Sequence, residues 1–305
     1  MPFDVLIHDE FLNYCDIDGL SPIENKYVMS IINDYEDGVW RFKKFQNFIW
    51  DNIAETSLSF KEREALVDQS HSLLTAAAQN LRLTDKEGDI GKGSELAEIV
   101  LYGIMKRYYS ALPVVPKIFY KQNVQDNAKG ADSVHIVLED DGDFSLWFGE
   151  AKFYSSIEDA RLPAIVDSVK NSLRTDKLKK ENSIITNLKD VDGLIENSEL
   201  RERIYQALSH KNSIDELKPK IHIPILLLHV CDYTKAATYV TAEYKADLIN
   251  RHRNRMNSYF KKQIDAVSDV FMYSEIKFHL ILFPVPDKDV IVDKFVKHVE
   301  HYKEG

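Results

Sequence analysis

The sequence predicts an α/β fold in which a mixed central β-sheet is flanked by helices. Apolar residues first recur at helical spacing, then alternate through three short segments, and then return to helical spacing, which gives the order helix, three strands, helix. The run at 221–230 is largely apolar, which is typical of a strand buried on both faces. Residues 1–90 carry mainly helical patterning and predict an N-terminal extension of this core.

Composition limits the class of protein. The chain has 305 residues, of which 44% are hydrophobic and 29% charged, so it can bury a substantial core. It has no apolar stretch near the roughly 20 residues that cross a bilayer and no basic-then-apolar secretion signal. We therefore expect a cytoplasmic protein without membrane contact. Cys15 and Cys231 stand far apart, unlike a disulfide framework or a cysteine-ligated zinc site.

Charge is distributed unevenly along the chain. The net charge of −10 argues against a protein that coats nucleic acid by itself. Residues 1–37 carry nine acids and one base, whereas residues 244–262 carry six bases and one acid. The basic segment could hold nucleic acid, or it could be a solvated charged helix. We divide the chain into an acidic, partly helical extension or partner-docking region, 1–90, and a core with C-terminal elaborations, 91–305.

The elements follow from local patterns. A helix is predicted at 61–83 and another at Ser94–Tyr109, where Ser94 is placed to cap the first turn. Pro113 and Pro116 stop that helix, and alternation then predicts strands. The predicted strands are 117–122, 133–139, 144–152, 221–230 and 276–283, and the later helices are 163–173, 245–263 and 290–302.

The hairpin between the strands at 133–139 and 144–152 has a predictable register. If residues 140–142 form a three-residue loop with Gly142 in the left-handed conformation, Glu139 pairs with Asp143. Three apolar pairs follow on one face: Leu138 with Phe144, Ile136 with Leu146, and Val134 with Phe148. The same register sets Asp132 opposite Glu150, with Lys152 on the same face because side chains alternate along a strand.

Two carboxylates and an ammonium group at one sheet edge predict a metal-dependent reaction centre. Carboxylates about 5 Å apart raise each other's pKa or demand a cation. The oxygens of Asp132, Glu150 and the Ala151 carbonyl suit Mg²⁺. A coordinated water could attack a phosphodiester, while Lys152 orients that water or neutralises the charge that grows on the phosphate.

The cluster also has a structural interpretation, in which Glu150 and Lys152 form a surface ion pair and Asp132 caps a turn. A further carboxylate could come from Glu95 or Glu98 in the first turns of the helix at Ser94–Tyr109, and we prefer Glu95. Acidic residues near a helix N-terminus are also favoured by the helix dipole alone.

Basic residues that follow the predicted strand at 144–152 in the sequence are candidates for binding the DNA backbone. Lys170 and Arg174 continue from the helix at 163–173. The basic segment at 244–262 contains Arg251, Arg253 and Arg255. Lysine and arginine supply most phosphate contacts in protein–DNA complexes, although a solvated helix is the alternative for both groups.

The motifs resemble those of a known family. The run Gly-Ala-Asp-Ser-Val-His at 130–135, the hairpin, and the run Leu-Trp-Phe-Gly-Glu-Ala-Lys-Phe-Tyr at 146–154 resemble the HamA subunit of Hachiman antiphage defence systems, a PD-(D/E)xK family. The resemblance spans most of the chain, from near Ser94 to the C-terminal helix. Its most specific part is Gly-Glu-Ala-Lys with the preceding Asp.

The resemblance implies a restriction-endonuclease-like core and a DNA nuclease controlled by a helicase partner, HamB. Asp132 and Glu150 match the metal-binding carboxylates, Lys152 the catalytic lysine, and Glu95 the helix acid of many members. Mg²⁺ is the implied cofactor, with Mn²⁺ as a substitute and no small-molecule cofactor. The first motif reads Ala-Asp here instead of Pro-Asp, a departure that retains the ligand.

Hypotheses of different classes follow. The leading one is an enzyme that hydrolyses DNA phosphodiesters as the effector of an antiphage defence system. The alternative is a non-cleaving DNA-binding or regulatory subunit of a helicase complex that retains the nuclease fold. A third is a restriction enzyme with its own sequence specificity, which would yield discrete fragments.

Overall fold

A computed structural model describes residues 2–83, 93–118, 130–188 and 190–304. Among these residues, the strands are β1 (Asp4–Glu10), β2 (Lys26–Ile32), β3 (Tyr35–Glu36), β4 (Val39–Trp40), β5 (Leu112–Val115), β6 (Ser133–Leu138), β7 (Phe144–Tyr154), β8 (Ile221–Val230) and β9 (Lys277–Val285). The helices are α1 (Phe42–Trp50), α2 (Ile53–Ser57), α3 (Phe60–Ala65), α4 (Ser70–Gln79), α5 (Ser94–Tyr109), α6 (Leu162–Ser172), α7 (Thr175–Leu188), α8 (Asp190–Leu194), α9 (Ser198–Ala207), α10 (Asp232–Ala236), α11 (Ala242–Val267) and α12 (Lys288–Glu304).

A seven-stranded mixed sheet organises the molecule, in the order β1-β2-β9-β8-β7-β6-β5. Strands β2, β9, β8 and β7 run parallel to one another, whereas β1 pairs antiparallel with β2, β6 with β7, and β5 with β6. Strand β8 lies in the middle and is buried along nearly its whole length, as its apolar composition predicts. The predicted α/β fold with a mixed sheet is therefore confirmed.

Helices cover both faces of the sheet. On one face, α5 packs against β7, and α1 and α12 contribute to the same core as Trp147, Ala151 and Phe153 of that strand. On the other face, α6 and α11 pack against Phe148 and Tyr154 of the same strand. Alternate side chains of β7 thus enter two separate cores, which fixes the face on which each of its polar residues lies. Among the helices of the described residues, none combines the length and apolar composition needed to cross a membrane.

The N-terminal region contains four strands that the sequence patterns do not predict: the short pair β3 and β4, and two longer strands that join the main sheet. Strand β2 pairs in parallel with β9, and β1 adds an antiparallel edge strand outside it. The acids of β1 obscure its pattern, although edge strands tolerate such charges. The helical part of this region is confirmed, with the predicted helix at 61–83 divided into α3 and α4. The predicted boundary between residues 90 and 91 lies outside the described residues.

The strand predicted at 117–122 is not found in the described part of that segment. Residues 117 and 118 are helical, and residues 119–122 lie outside the described residues. The strand next to β6 is instead β5, which contains Pro113 opposite His135. Because β5 is the edge of the sheet, the missing N–H of a proline is tolerated there. The proline that predicts the end of a helix also lies within a strand.

A buried histidine makes the fold sensitive to acid. The His135 ring is fully buried in β6, lies 4.5 Å from the Tyr102 ring between centroids, and has no hydrogen-bond partner at either ring nitrogen among the described residues. Burial lowers the pKa of His135 from 6.5 to about 3. Between these values the unfolded chain binds a proton that the folded chain does not, so stability falls as the pH drops below 6.5.

We predict that His135→Phe weakens this dependence. The phenylalanine ring keeps the contact with Tyr102 but cannot take up a proton. From pH 6 to pH 4, the free energy of unfolding of the wild type should fall more steeply than that of the variant, by up to about 1.4 kcal/mol per pH unit. Urea denaturation at several pH values measures both slopes. Parallel slopes would show that His135 does not contribute.

Candidate active site

The register of the hairpin is the one that the sequence predicts. Gly142 has a φ of +77°, its N–H donates to the Glu139 carbonyl at 3.0 Å, and the Glu139 N–H donates to the Asp143 carbonyl at 2.9 Å. The pairs Leu138–Phe144, Ile136–Leu146 and Val134–Phe148 all form. A left-handed glycine closes the loop without a steric penalty, so the turn sets the register of the whole ladder.

This register carries Asp132 to the side of β7. Asp132 immediately precedes β6, and its N–H donates to the Gly149 carbonyl at 2.7 Å. Its Oδ2 atom accepts a hydrogen bond from the Ala151 N–H at 3.0 Å. The Asp132 side chain is therefore fixed to the backbone of β7 immediately before β6 begins.

Asp132, Glu150 and Lys152 come together as predicted. The Lys152 Nζ atom lies 3.5 Å from Asp132 Oδ2 and 3.7 Å from Glu150 Oε2. Glu150 is only 3% exposed, so the alternative of an ordinary surface ion pair does not describe it. Burying a carboxylate is costly unless charges or hydrogen bonds compensate it, and the Ser168 hydroxyl donates to Glu150 Oε2 at 2.7 Å.

The electrostatics of the cluster keep the lysine charged. Burial by itself lowers the pKa of Lys152, but the nearby negative charges of Asp132 and Glu150 act in the opposite direction. Tyr154 and Glu98 add smaller contributions of the same sign. The net effect raises the pKa of Lys152 above its usual range, so its ammonium form persists at neutral pH.

The donor atoms fit a hard divalent cation. Asp132 and Glu150 supply carboxylate oxygens beside a shared positive charge. The Ala151 carbonyl points to the Asp132 side of β7, because the N–H and C=O of one strand residue face the same neighbour. Mg²⁺ takes one or two protein carboxylates and keeps several waters. In the described parts of the chain, no group of three or more His, Cys, Asp or Glu side chains is placed to hold a metal.

The two acids of helix α5, Glu95 and Glu98, lie in different surroundings. Both carboxylate oxygens of Glu95 accept backbone hydrogen bonds, from Arg82 N at 3.0 Å and Leu83 N at 2.9 Å. Glu98 is buried, and its charge helps to raise the pKa of Lys152. Of the two acids, Glu98 is the one whose charge acts on Lys152, and a role of Glu95 at the metal stays a prediction. Helix α5 is buried around most of its circumference, so sequence periodicity does not reveal which acid faces inward.

The two basic residues of the first predicted DNA-binding group both have partners within the chain. The Lys170 Nζ atom donates to the Ala266 carbonyl at 2.6 Å and pairs with Asp269 at 3.2 Å. The Arg174 Nε atom lies 3.1 Å from Asp176. These contacts agree with the alternative of a solvated, internally paired helix end, and a role in DNA binding stays a prediction.

The arginines of α11 also make internal contacts. The Arg251 guanidinium lies 5.8 Å from the centre of the Tyr233 ring, and Arg253 Nε donates to the Tyr14 carbonyl at 3.3 Å. Arg255 forms an ion pair with Asp159. The basic segment therefore contacts the region around Tyr14, so part of its positive charge holds the chain together, and its contact with DNA likewise stays a prediction.

Sequence reasoning missed Ser168. The residue lies three positions after Ile165 and four before Ser172, and both of these are buried on the inner face of α6. The sequence does contain a signal for Ser168: its helical spacing from Ile165 and Ser172 places a hydroxyl on the face of α6 that packs against β7. Its link to Glu150 appears only when α6 and β7 are placed together.

The fold and the cluster can be compared with known proteins. A mixed sheet lies between helices, with Asp132 immediately before one strand and Glu150 and Lys152 on the next. The HamA family model matches residues 7–299, and the chain belongs to the HamA family. The match begins within β1, so it includes part of β1 and all of β2. No curated protein matches the chain. Membership supports a role in Hachiman antiphage defence, a system that implies a partner.

We predict that Ser168→Ala weakens metal binding. Loss of the hydroxyl removes a hydrogen bond that orients Glu150, and such outer partners typically contribute about ten- to a hundredfold in metal affinity. Calorimetric titration with Mn²⁺ measures the change. Ser172→Ala is the matched control, because that hydroxyl donates to the Val169 carbonyl in the same helix. Equal Mn²⁺ affinity in the two variants would contradict the prediction.

Proposed function

We propose that this protein is a metal-dependent DNA nuclease that acts as the effector of a Hachiman defence system and is controlled by a helicase partner. The proposal rests chiefly on one observation: the Lys152 ammonium lies within 3.7 Å of both Asp132 and Glu150. Membership of the HamA family provides the biological setting.

The proposed cofactor is Mg²⁺, with Mn²⁺ as a substitute. Asp132, Glu150 and the Ala151 carbonyl would hold it. A bound divalent ion supplies Lewis acidity toward water and phosphate oxygens, and its charge offsets the crowding of the two carboxylates. The donor set is hard and all-oxygen, which favours these ions over zinc or copper.

The chain's own residues have distinct proposed tasks. Lys152 remains charged at neutral pH and is 24% exposed, so its ammonium can reach a phosphate oxygen while it stays anchored beside the acids. Fixed positive charge at that point stabilises the negative charge that develops on the phosphate during hydrolysis. Glu150 is oriented by Ser168, and Asp132 by the Ala151 N–H. Little reorganisation is then needed when the substrate arrives.

The proposed partner surface includes the acidic N-terminal region. Asp4 and Glu10 are exposed on β1, which forms an edge of the sheet. Leu12, just beyond that strand, is 57% exposed. Acidic side chains around an exposed apolar residue suit a protein partner better than they suit a nucleic acid, because phosphates repel them.

The alternative function, a non-cleaving DNA-binding or regulatory subunit, also has an observation in its favour. In the described structure, Lys152 already offers positive charge to both Asp132 and Glu150, so the cluster is balanced in part without a metal. Under this alternative the three residues would serve stability. Cleavage and binding must therefore be measured separately.

We predict that Lys152→Ala reduces DNA cleavage by about a hundred- to a thousandfold, the usual effect of removing one preorganised charge from a reaction centre. The assay follows plasmid degradation by the complex of the chain with its helicase partner, with Mg²⁺, with Mn²⁺ and with a chelator. Lys211→Ala removes an exposed lysine in a distant loop and should cleave like the wild type.

DNA binding should survive the Lys152→Ala substitution, because a single residue of the cluster contributes little to total phosphate contact. Equal rates of cleavage for wild type and Lys152→Ala would overturn the proposed role of the cluster. If no cleavage occurs in the complex under any metal condition, while DNA binding and phage protection persist, the non-cleaving alternative is the better account.

A further inference from the structure

A buried ion pair lies next to the candidate active site. Lys117 and Glu181 are joined by a contact of 2.6 Å between Nζ and Oε2, and their side chains are 0% and 4% exposed. Lys117 follows strand β5, whereas Glu181 belongs to helix α7. The pair thus connects two segments that lie far apart in sequence.

The second oxygen of the Glu181 carboxylate reaches the chain just before Asp132. Its Oε1 atom accepts a hydrogen bond from the Ala131 N–H at 3.1 Å. A Cβ atom on Gly130 would lie 1.7 Å from that same oxygen, so only glycine permits this approach. One carboxylate therefore holds Lys117 with one oxygen and the segment that leads into Asp132 with the other.

Stability alone is a weak explanation for this pair. Removing two charges from water costs several kcal/mol per ion, and apolar residues of similar volume often serve equally well. What a buried pair supplies is a defined arrangement, since the carboxylate accepts only from donors placed at its two oxygens. Here one of the donors is a backbone amide adjacent to a residue of the cluster.

Asp132 needs such support because it lies where regular pairing ends. Strand β6 begins at Ser133, one residue later. On the side of β7, Asp132 is held through the Gly149 carbonyl and the Ala151 N–H. On the side of α7, the Glu181 carboxylate holds the preceding peptide. The two attachments together fix where the Asp132 carboxylate stands relative to Glu150.

We infer that Glu181, locked by Lys117, is a positioning residue that sets the geometry of Asp132 for metal binding. The inference rests on the proposed function, because it assigns the pair a purpose at the metal site. It predicts that the hydrogen bond to Ala131, and not the charge of the pair, is the feature that metal affinity requires.

Two double variants separate these features. Lys117→Met with Glu181→Gln removes both charges but retains an amide oxygen that accepts from the Ala131 N–H. Lys117→Met with Glu181→Leu removes the charges and the acceptor together, and an apolar pair of this kind is compatible with a stable fold. Lys106→Met with Glu55→Leu is the control, since it removes an ion pair elsewhere in the molecule.

The measurements are Mn²⁺ affinity by calorimetry, the Mn²⁺ dependence of DNA cleavage by the helicase complex, and thermal unfolding. We expect the Met–Leu variant to bind Mn²⁺ about ten- to a hundredfold more weakly than the wild type. The Met–Gln variant and the control should stay within about threefold, a margin well below that range. The wild-type and Asp132→Ala chains set the upper and lower limits of Asp132-dependent binding.

Each result decides the inference. The inference is overturned if the Met–Leu variant binds Mn²⁺ like the wild type. It is also overturned if the Met–Gln variant binds Mn²⁺ as weakly as the Met–Leu variant does. In both cases, DNA cleavage by the wild type leaves the proposed function intact. If the wild type and Asp132→Ala bind Mn²⁺ equally, the proposed function fails and the inference fails with it. A loss confined to Met–Leu, at unchanged melting temperature, supports it.

Discussion

The pairing register between β6 and β7 is the constraint on which the candidate site depends. A shift of one residue would turn every side chain of β6 to the opposite face, and Asp132 would then leave Glu150 and Lys152. Two local features hold the register: the left-handed Gly142 in the turn, and the apolar pairs Ile136–Leu146 and Val134–Phe148, which enter a single core. The site is thus a consequence of hydrophobic burial several residues away from it.

Around this hairpin, other elements hold the polar groups in place. Helix α6 supplies the Ser168 hydroxyl to Glu150, and α5 brings the charge of Glu98 toward Lys152. Strand β7 is buried on both faces, and its two charged residues, Glu150 and Lys152, lie toward its C-terminal end. The N-terminal strands β1 and β2 extend the same sheet on the far side of β9. The acidic region is therefore attached to the core at a distance from the cluster.

Local signals predicted most of the core, and long-range contacts account for what they missed. The bounds of α5 and β8 agree with the prediction because capping, proline and apolar runs are local. Strand β2 escaped prediction because its partner β9 lies near the other end of the chain. The sequence does not decide between Glu95 and Glu98, because the packing of α5, and not its sequence period, determines the surroundings of each acid. The link from Lys117 to Glu181 spans 64 positions and leaves no pattern in the sequence.

The central claim is that Asp132 and Glu150 share one divalent cation beside Lys152. A crystal structure of the protein soaked in Mn²⁺, with data collected at a wavelength where manganese scatters anomalously, tests it most directly. We expect an anomalous peak in direct contact with carboxylate oxygens of both Asp132 and Glu150, at about 2.1 Å for an ion of this size. We also expect that Lys152 moves away from at least one of the acids. If a crystal at saturating Mn²⁺ shows no peak at these oxygens, and Lys152 still lies between the two acids, the proposed metal site is contradicted.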